Sequence, residues 1–280
     1  MELKLIYPRW GSAHIAWPEF LNKLKTNGYH GVEAHLPLLK KEKKGILTEL
    51  KDFDLQFIGQ HYETKEVNFE KHKESLKRQL YNLADSEPLF INSHTGMDFF
   101  SFSQNVELIE LARLIEEETG ITIAHETHRS RFCFAPHICL TYLKELPFLK
   151  LTADFAHWTC VAESLLENQE EAVRKALDST LHIHARVGSS QSSQVIDPRD
   201  KMYHKELNQF KKWWGYMMKR ALEKNQSFLT VMPEHGPQPY SVCQPYTTDP
   251  LVDQWEVNQF IKTELVKDWA AMSYTSLTIK

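Results

Sequence analysis

Four successive apolar runs of the chain each end on, or are followed by, a residue able to ligate a metal. Glu126 closes ITIAHE, Asp154 closes LKLTAD, His184 closes LHIH, and Glu234 follows FLTVMP. Three carboxylates and an imidazole form a hard-to-borderline donor set. It suits one divalent ion such as Mn²⁺, Mg²⁺, Co²⁺ or Zn²⁺ better than a thiolate-seeking metal. A single such residue at a strand end reads equally well as a satisfied polar group. Four at corresponding places on successive strand-like runs point to a shared cation and to metal-assisted chemistry.

Strand alternation sorts these runs into two faces. Thr122, Ala124 and Glu126 share one face, as do Lys150, Thr152 and Asp154, then His182, His184 and Arg186, then Thr230, Met232 and Glu234. The opposite faces carry Ile121 and Ile123, Leu149 and Leu151, Leu181, Ile183 and Ala185, and Leu229 and Val231, which suit packing against helices. The polar faces must then point into a closed interior, where unpaired charge is costly unless a cation gathers the carboxylates.

Further candidates surround the four. His61 ends FIGQH, His94 follows FINS, and His157 lies three residues after Asp154; histidine is both a common metal ligand and the usual near-neutral proton carrier. His182 is expected one layer deeper, as a buried neutral residue or an orienting partner of a ligand, and His125 is expected to face the helices. His128, Arg129 and Arg131 in HETHRSR, Arg186 in HARVG and Arg199 in DPR place donors where hydroxyls, a carboxylate or a phosphate could be held, or where neighbouring carboxylates could pair with them. Trp10 and Trp158 are candidate walls against a sugar ring or, equally, caps on the core. The KKWWGYMMKR run reads as a helix face packed on the fold.

Elements that would position these residues alternate along the chain. Strands are expected at 4–8, 31–35, 55–60, 89–93, 121–126, 149–154, 181–186 and 228–234. Helices are expected at 20–26, 38–50, 69–85, 106–119, 135–145, 162–177, 205–224 and 251–271. Eight strand–helix pairs imply parallel crossovers, and a chain of 280 residues fits an α/β fold of one (β/α)₈ barrel spanning residues 1–280. The alternative, an open doubly wound sheet, lacks its glycine-rich turn, because the first strand runs into PRWGSAH. Two longer non-periodic stretches, 187–204 and 235–250, fall on the face where such barrels build active sites, and both could fold over a ligand.

Composition bounds the partners. A formal charge of -4 argues against a broad nucleic-acid surface. No run approaches the roughly 18 apolar residues of a membrane span. Cys133, Cys139, Cys160 and Cys243 show no CxxC spacing, and no signal-like segment follows Met1, so reduced cysteines in a cytoplasmic protein are the simplest expectation. Barrels often pair through helices or rim loops, which leaves a homodimer open.

On HETHRSR, ADFAHW, HIHARVG and MPEHGP the chain resembles the xylose isomerase-like TIM-barrel superfamily, in particular its sugar phosphate isomerase/epimerase branch. The resemblance runs over essentially the whole chain. It implies that Glu126, Asp154, His184 and Glu234 bind one divalent metal and that Glu126 and Glu234 move protons on opposite faces of a sugar-like substrate. It further implies that His157 touches that substrate. An arginine six residues after the metal-binding histidine is usual in the epimerases; Ser190 stands there, so the substrate contacts must differ.

A second branch, the zinc-dependent apurinic-site endonucleases, has extra histidines that correspond to His61 and His94. Its further Asp-x-His is replaced by Asp197-Pro198-Arg199, a cation where a ligand is required. The sequence therefore points to a metal-dependent sugar isomerase or epimerase, with His61, His94, His128, His157 and Arg186 on the substrate. The alternatives are a phosphodiesterase of the endonuclease type and a non-catalytic metal-binding barrel.

Overall fold

Each β-rich run finds its hydrogen-bonding partner in the next run along the chain, and the last returns to the first. The computed structural model describes residues 1–277. Its strands are β1 (Glu2–Pro8), β2 (Gly31–Ala34), β3 (Gln56–His61), β4 (Ile91–Ser93), β5 (Ile123–Glu126), β6 (Leu151–Ala153), β7 (Thr180–Ala185) and β8 (Phe228–Pro233). All pair in parallel, and β8 closes on β1 to complete the expected (β/α)₈ barrel. Outside lie α1 (Trp17–Thr26), α2 (Lys40–Asp52), α3 (Phe69–Ala84), α4 (Phe102–Thr119), α5 (Pro136–Glu145), α6 (Phe155–Val161), α7 (Glu170–Asp178), α8 (His204–Glu223) and α9 (Gln254–Leu277).

In place of the single helix expected at 162–177, α6 ends before that span at Val161 and α7 begins within it at Glu170. Asp154 accepts a hydrogen bond from the backbone N–H of Ala156 and so caps α6 at its N-terminus. Glu163 and Leu166 adopt left-handed φ of 48° and 64°, which a continuous helix cannot contain. A residue that ends a strand thus also starts a helix. α4 begins four residues before the apolar spacing suggests, because Ser101 and Gln104 form a capping box.

Two apolar layers hold the fold. Leu151, Ile183 and Val231 face outward and pack with helix residues such as Leu80, Ile109, Phe210 and Trp214. Ile6, Ile58, Phe90, Ala124 and Met232 form a separate plug inside the barrel. Each buried large side chain contributes about 1.5–3 kcal/mol, and the inner plug supplies a dry floor beneath the rim.

Two residues expected on the inward face leave it. Lys150 forms an ion pair with Glu116 on α4, and Thr122 reaches the same carboxylate. A register shift at Leu151/Thr152 breaks the alternation of β6, so Lys150 escapes the interior that would desolvate it. The cysteines depart from expectation as well. Cys133 and Cys139 form a disulfide between the loop after β5 and α5, whereas Cys160 and Cys243 are free. The reduced set that underlay the cytoplasmic expectation is therefore not observed. Among the described residues no helix is long and apolar enough to cross a membrane.

Candidate metal centre and rim cavity

Register brings the four candidate ligands to one end of the barrel. Glu126 pairs with Thr152, placing Asp154 just above it on the neighbouring strand, and Ala185 pairs with Pro233, placing Glu234 immediately beyond. Ligand atoms of Asp154, His184 and Glu234 lie within 4.8 Å of one another, as do those of Glu126, Asp154 and His157. Nδ1 of His184 and Oε2 of Glu234 approach to 2.8 Å, yet neither atom has hydrogen-bond geometry to any partner. Both ring nitrogens of His157 are likewise buried without partners. Buried polar atoms that converge without bonding one another are the signature of a donor set arranged around a common centre, and a divalent cation fits it.

Arg186 already spans part of that set. Its Nε donates to Asp154 at 2.9 Å and its Nη2 lies 2.9 Å from Glu234. The guanidinium hydrogen-bonds Asp154 and sets its charge beside Glu234 without hydrogen-bond geometry to it, so it offsets the repulsion between two buried carboxylates while leaving Oε2 of Glu234 unpartnered. Burial alone would raise the pKa of Asp154; Arg186 opposes that, Glu234 and Glu126 reinforce it, and the result is about 7. His184, although burial opposes its charged form, is pushed well above the usual imidazole range by Glu234, Glu33 and Glu126.

Beneath this open tier lies a sealed one that the sequence reading did not single out. Glu33, on β2, is fully buried, with Oε2 3.1 Å from Nε2 of His182 and Oε1 3.3 Å from Nε2 of His184. Burial would raise its pKa, but His184 and His182 outweigh that and hold it at about 2. His184 therefore shows one nitrogen to Glu33 and the other to Glu234, an arrangement that fixes its ring. Asn92 of β4 ties the tiers together by donating to Glu33 at 3.0 Å and to Glu126 at 2.8 Å. His182 thus takes the deeper orienting place expected of it, with Nδ1 on the Thr230 hydroxyl at 2.7 Å.

A cavity of about 500 Å³ opens above the centre, bordered by Glu126, Glu234, His94, His128 and Arg186 among others. His94 sits 2.9 Å from Glu126, and the His128 ring lies between those of His94 and His157, tilted by 32° and 51° to them. His157 is sealed under His128, so it joins the carboxylates rather than the cavity wall. His61, expected on the substrate, is also displaced from that role. It is fully buried behind the rim, with its nitrogens on Ser93 at 2.9 Å and Thr64 at 2.8 Å, and it does not border the cavity. A histidine at a strand end that finds two hydroxyls satisfies itself locally. His125 faces outward, with Nδ1 2.7 Å from the Thr95 hydroxyl.

Among the aromatics, Trp10 borders the cavity, whereas Trp158 is buried and donates to the carbonyl of Cys133. Its wall position is taken by Tyr240, from the loop after β8. That ring meets Trp10 edge-on at 5.1 Å, underlies Arg186 and brings its hydroxyl 3.3 Å from His128. Gly236 lets this loop close, because a Cβ there would meet the Trp10 ring at 2.1 Å. The loops after β7 and β8 are locked together where Gly236 N–H donates to Gln194 at 2.7 Å and Gln194 donates back to the Gly236 carbonyl. Arg199 pairs with Asp197 at 2.8 Å instead of facing a ligand.

No protein-family model matches the sequence, and no curated protein matches it. Solved structures do. A xylose isomerase domain containing protein from Salmonella typhimurium superposes with a TM-score of 0.62 at 12% identity, over 94% of this chain and 96% of that one. The two share the (β/α)₈ barrel fold. A 3-keto-D-glucoside 4-epimerase from E. coli gives 0.59 at 14% identity, over 95% and 100%. Endonuclease IV from Thermus thermophilus gives 0.58 at 11% identity, over 95% and 100%. An epimerase and an endonuclease on one fold leave the reaction to be argued from the site itself.

Proposed function

We propose that this chain is a divalent-metal-dependent isomerase or epimerase of a sugar or sugar derivative, with Glu126 and Glu234 as its proton-transfer groups. The observation that carries the reading is that two carboxylates border the cavity from β5 and β8, while Asp154, His184 and the orphaned nitrogens of His157 converge beneath them. Glu126, Asp154, His184 and Glu234 would hold the cation, which when bound would polarise a ligand carbonyl and acidify the neighbouring C–H. One glutamate removes that proton, and Arg186 and His128, both facing the cavity, donate to the developing enediolate oxygens. Return of a proton from the opposite glutamate gives the epimer; return at the adjacent carbon gives the isomer. His94, bonded to Glu126, keeps that carboxylate charged and aimed: burial would raise its pKa, but His94 and His184 hold it well below the usual range.

A phosphodiesterase with two or three ions is the second reading. One observation favours it: His94, Glu126 and His128 also bring ligand atoms within 4.8 Å, room for a second ion sharing Glu126. Against a third ion, His61 joins no ligand group among the described residues, and Asp197 is taken by Arg199. Elemental analysis of metal per chain separates the readings, with one ion expected. Deuterium uptake from solvent into a panel of ketoses tests the chemistry: uptake by the parent protein, lost in Glu234→Gln, is the expected result, and no uptake with any ketose overturns it.

A further inference from the structure

The cavity wall also carries cations that have no carboxylate within ion-pair distance among the described residues. Arg131 is only 4% exposed and borders the cavity, yet no carboxylate lies within ion-pair distance of it among the described residues. Its Nη1 donates to the carbonyls of Thr64 at 2.9 Å and Gly96 at 3.3 Å, its Nη2 donates to Tyr62 at 3.3 Å, and its Nε is buried with no partner. The segment it holds, residues 62–65, places Lys65 on the cavity lip, exposed and also without an ion pair among the described residues. Arg9, on the same cavity, stacks on Trp17 and Phe20, donates to the carbonyl of Ile15 and leaves its Nη1 buried without a partner. Arg186, by contrast, has two carboxylates.

A buried guanidinium whose hydrogen bonds go to carbonyls, with no carboxylate in contact, still presents positive charge to the cavity, and a wall of such groups favours an anion. We infer that the ligand carries an anionic group, a carboxylate or a phosphate, held by Arg131 and Lys65 while its hydroxyl and carbonyl oxygens face the carboxylate centre. This rests on the isomerase reading for the second half of that statement and on the cavity wall alone for the first. An anion in the cavity needs a cation that is not already paired with a carboxylate to make that contact. Arg131, from HETHRSR, is placed to do so by the loop after β5.

Binding of four probes to the Mn²⁺-loaded protein tests the inference: D-fructose, D-fructose 6-phosphate, D-glucuronate and inorganic phosphate, measured by calorimetry. The expected result is that one of the two anionic sugars binds about tenfold or more tightly than D-fructose, as a charge-assisted contact would give. The arm that shows the preference identifies carboxylate or phosphate. Lys65→Met, at an exposed position that carries no fold contact, is expected to cut the anionic-to-neutral ratio about fivefold. Arg131→Gln is expected to cut it further, with thermal melting as the check that the carbonyls of Tyr62 and Thr64 have not simply come loose. Equal binding of charged and neutral sugars, a preference for D-fructose, or a ratio unchanged in both variants overturns the proposal. Deuterium uptake scored on the same samples keeps the two readings apart, since a charge preference without uptake sustains the subsite while removing the isomerase.

Discussion

Two tiers of carboxylate and imidazole sit one above the other in this barrel, built from the same residue types and arranged for opposite ends. In the sealed tier, Glu33 lies between His182 and His184, with Asn92 donating to it, and the barrel's apolar plug keeps water away. In the open tier, Glu126, Asp154 and Glu234 crowd around His184 and Arg186 at the foot of a cavity, and several of their atoms have no partner. The lower acid is held down to about 2, whereas Asp154 is pushed up to about 7. Burial is complete in both cases; what differs is the sign of the neighbours. Glu33 has two imidazoles and no second carboxylate, while Asp154 shares its surroundings with two acids. The sealed cluster offsets one acid with two imidazoles, although Nε2 of His182 and Oδ1 of Asn92 also lack hydrogen-bond partners, whereas the open cluster gathers three acids at the foot of the cavity.

The comparison is broken most directly by removing one carboxylate from each tier. Glu234→Gln is expected to lower deuterium uptake by about 10³-fold, within the range for loss of a general acid or base, and, because an amide of the same shape stays beside Arg186, to lower the melting temperature less than truncation of Glu33 does. Glu33→Ala should do the reverse. It leaves His182 and His184 facing a gap in a dry interior, and removal of one member of a buried pair costs about 3–5 kcal/mol, readable by urea unfolding of the metal-free protein. Retained metal should also weaken, by roughly 10–100-fold, because His184 loses the group that fixes its ring. If Glu234→Gln proved the more destabilising of the two, the division into a structural and a working tier would be wrong.

Acid sharpens the same contrast in the metal-free protein. His125 and His235 are lowered by burial to about 3 and about 4 from 6.5. For each, the unfolded chain binds more protons than the native one below pH 6.5, so their contribution is present above that pH and lost as pH falls toward the folded value. At pH 5 this amounts to about 2 kcal/mol apiece. Glu33 loses its contribution next, as pH falls from 4.5 toward 2. Asp154 runs the other way: with its folded pKa raised above 3.8, its contribution is fully present below 3.8 and lost as pH rises toward 7. Urea midpoints between pH 7.5 and pH 4 should therefore fall, and Asp154→Asn should steepen the fall.

How far the sequence reveals each tier follows from how apolar the run is that leads to each residue. Glu126, Asp154, His184 and Glu234 end apolar runs long enough to read as strands, so their convergence was legible from order alone. Glu33 sits in GVEA, a run of four residues with little apolar signal, although the same logic of a carboxylate near a strand's end applies to it. Lys150 misled because a register shift in β6 cannot be seen in alternation. His61 misled because the hydroxyls that satisfy it, Ser93 and Thr64, come from the next strand and the following loop. Tyr240 and Gln194 belong to segments without periodicity, where contacts are set by tertiary closure and leave no local pattern.

The smallest expected effect concerns that closure. Tyr240 meets the open tier through its ring, against Trp10 and Arg186, and through its hydroxyl, 3.3 Å from Nε2 of His128. Tyr240→Phe keeps the ring and removes one neutral hydrogen bond, worth about 1 kcal/mol. A rate lowered no more than about fivefold is expected, with unchanged stability. Tyr240→Ala also removes the wall and should cost ligand affinity more than rate. Because His128 borders the cavity and packs against His94, which in turn aims Glu126, a much larger loss in Tyr240→Phe would mean that the hydroxyl sets the orientation of the whole histidine row. The working tier would then extend past the barrel's rim into the loop that covers it.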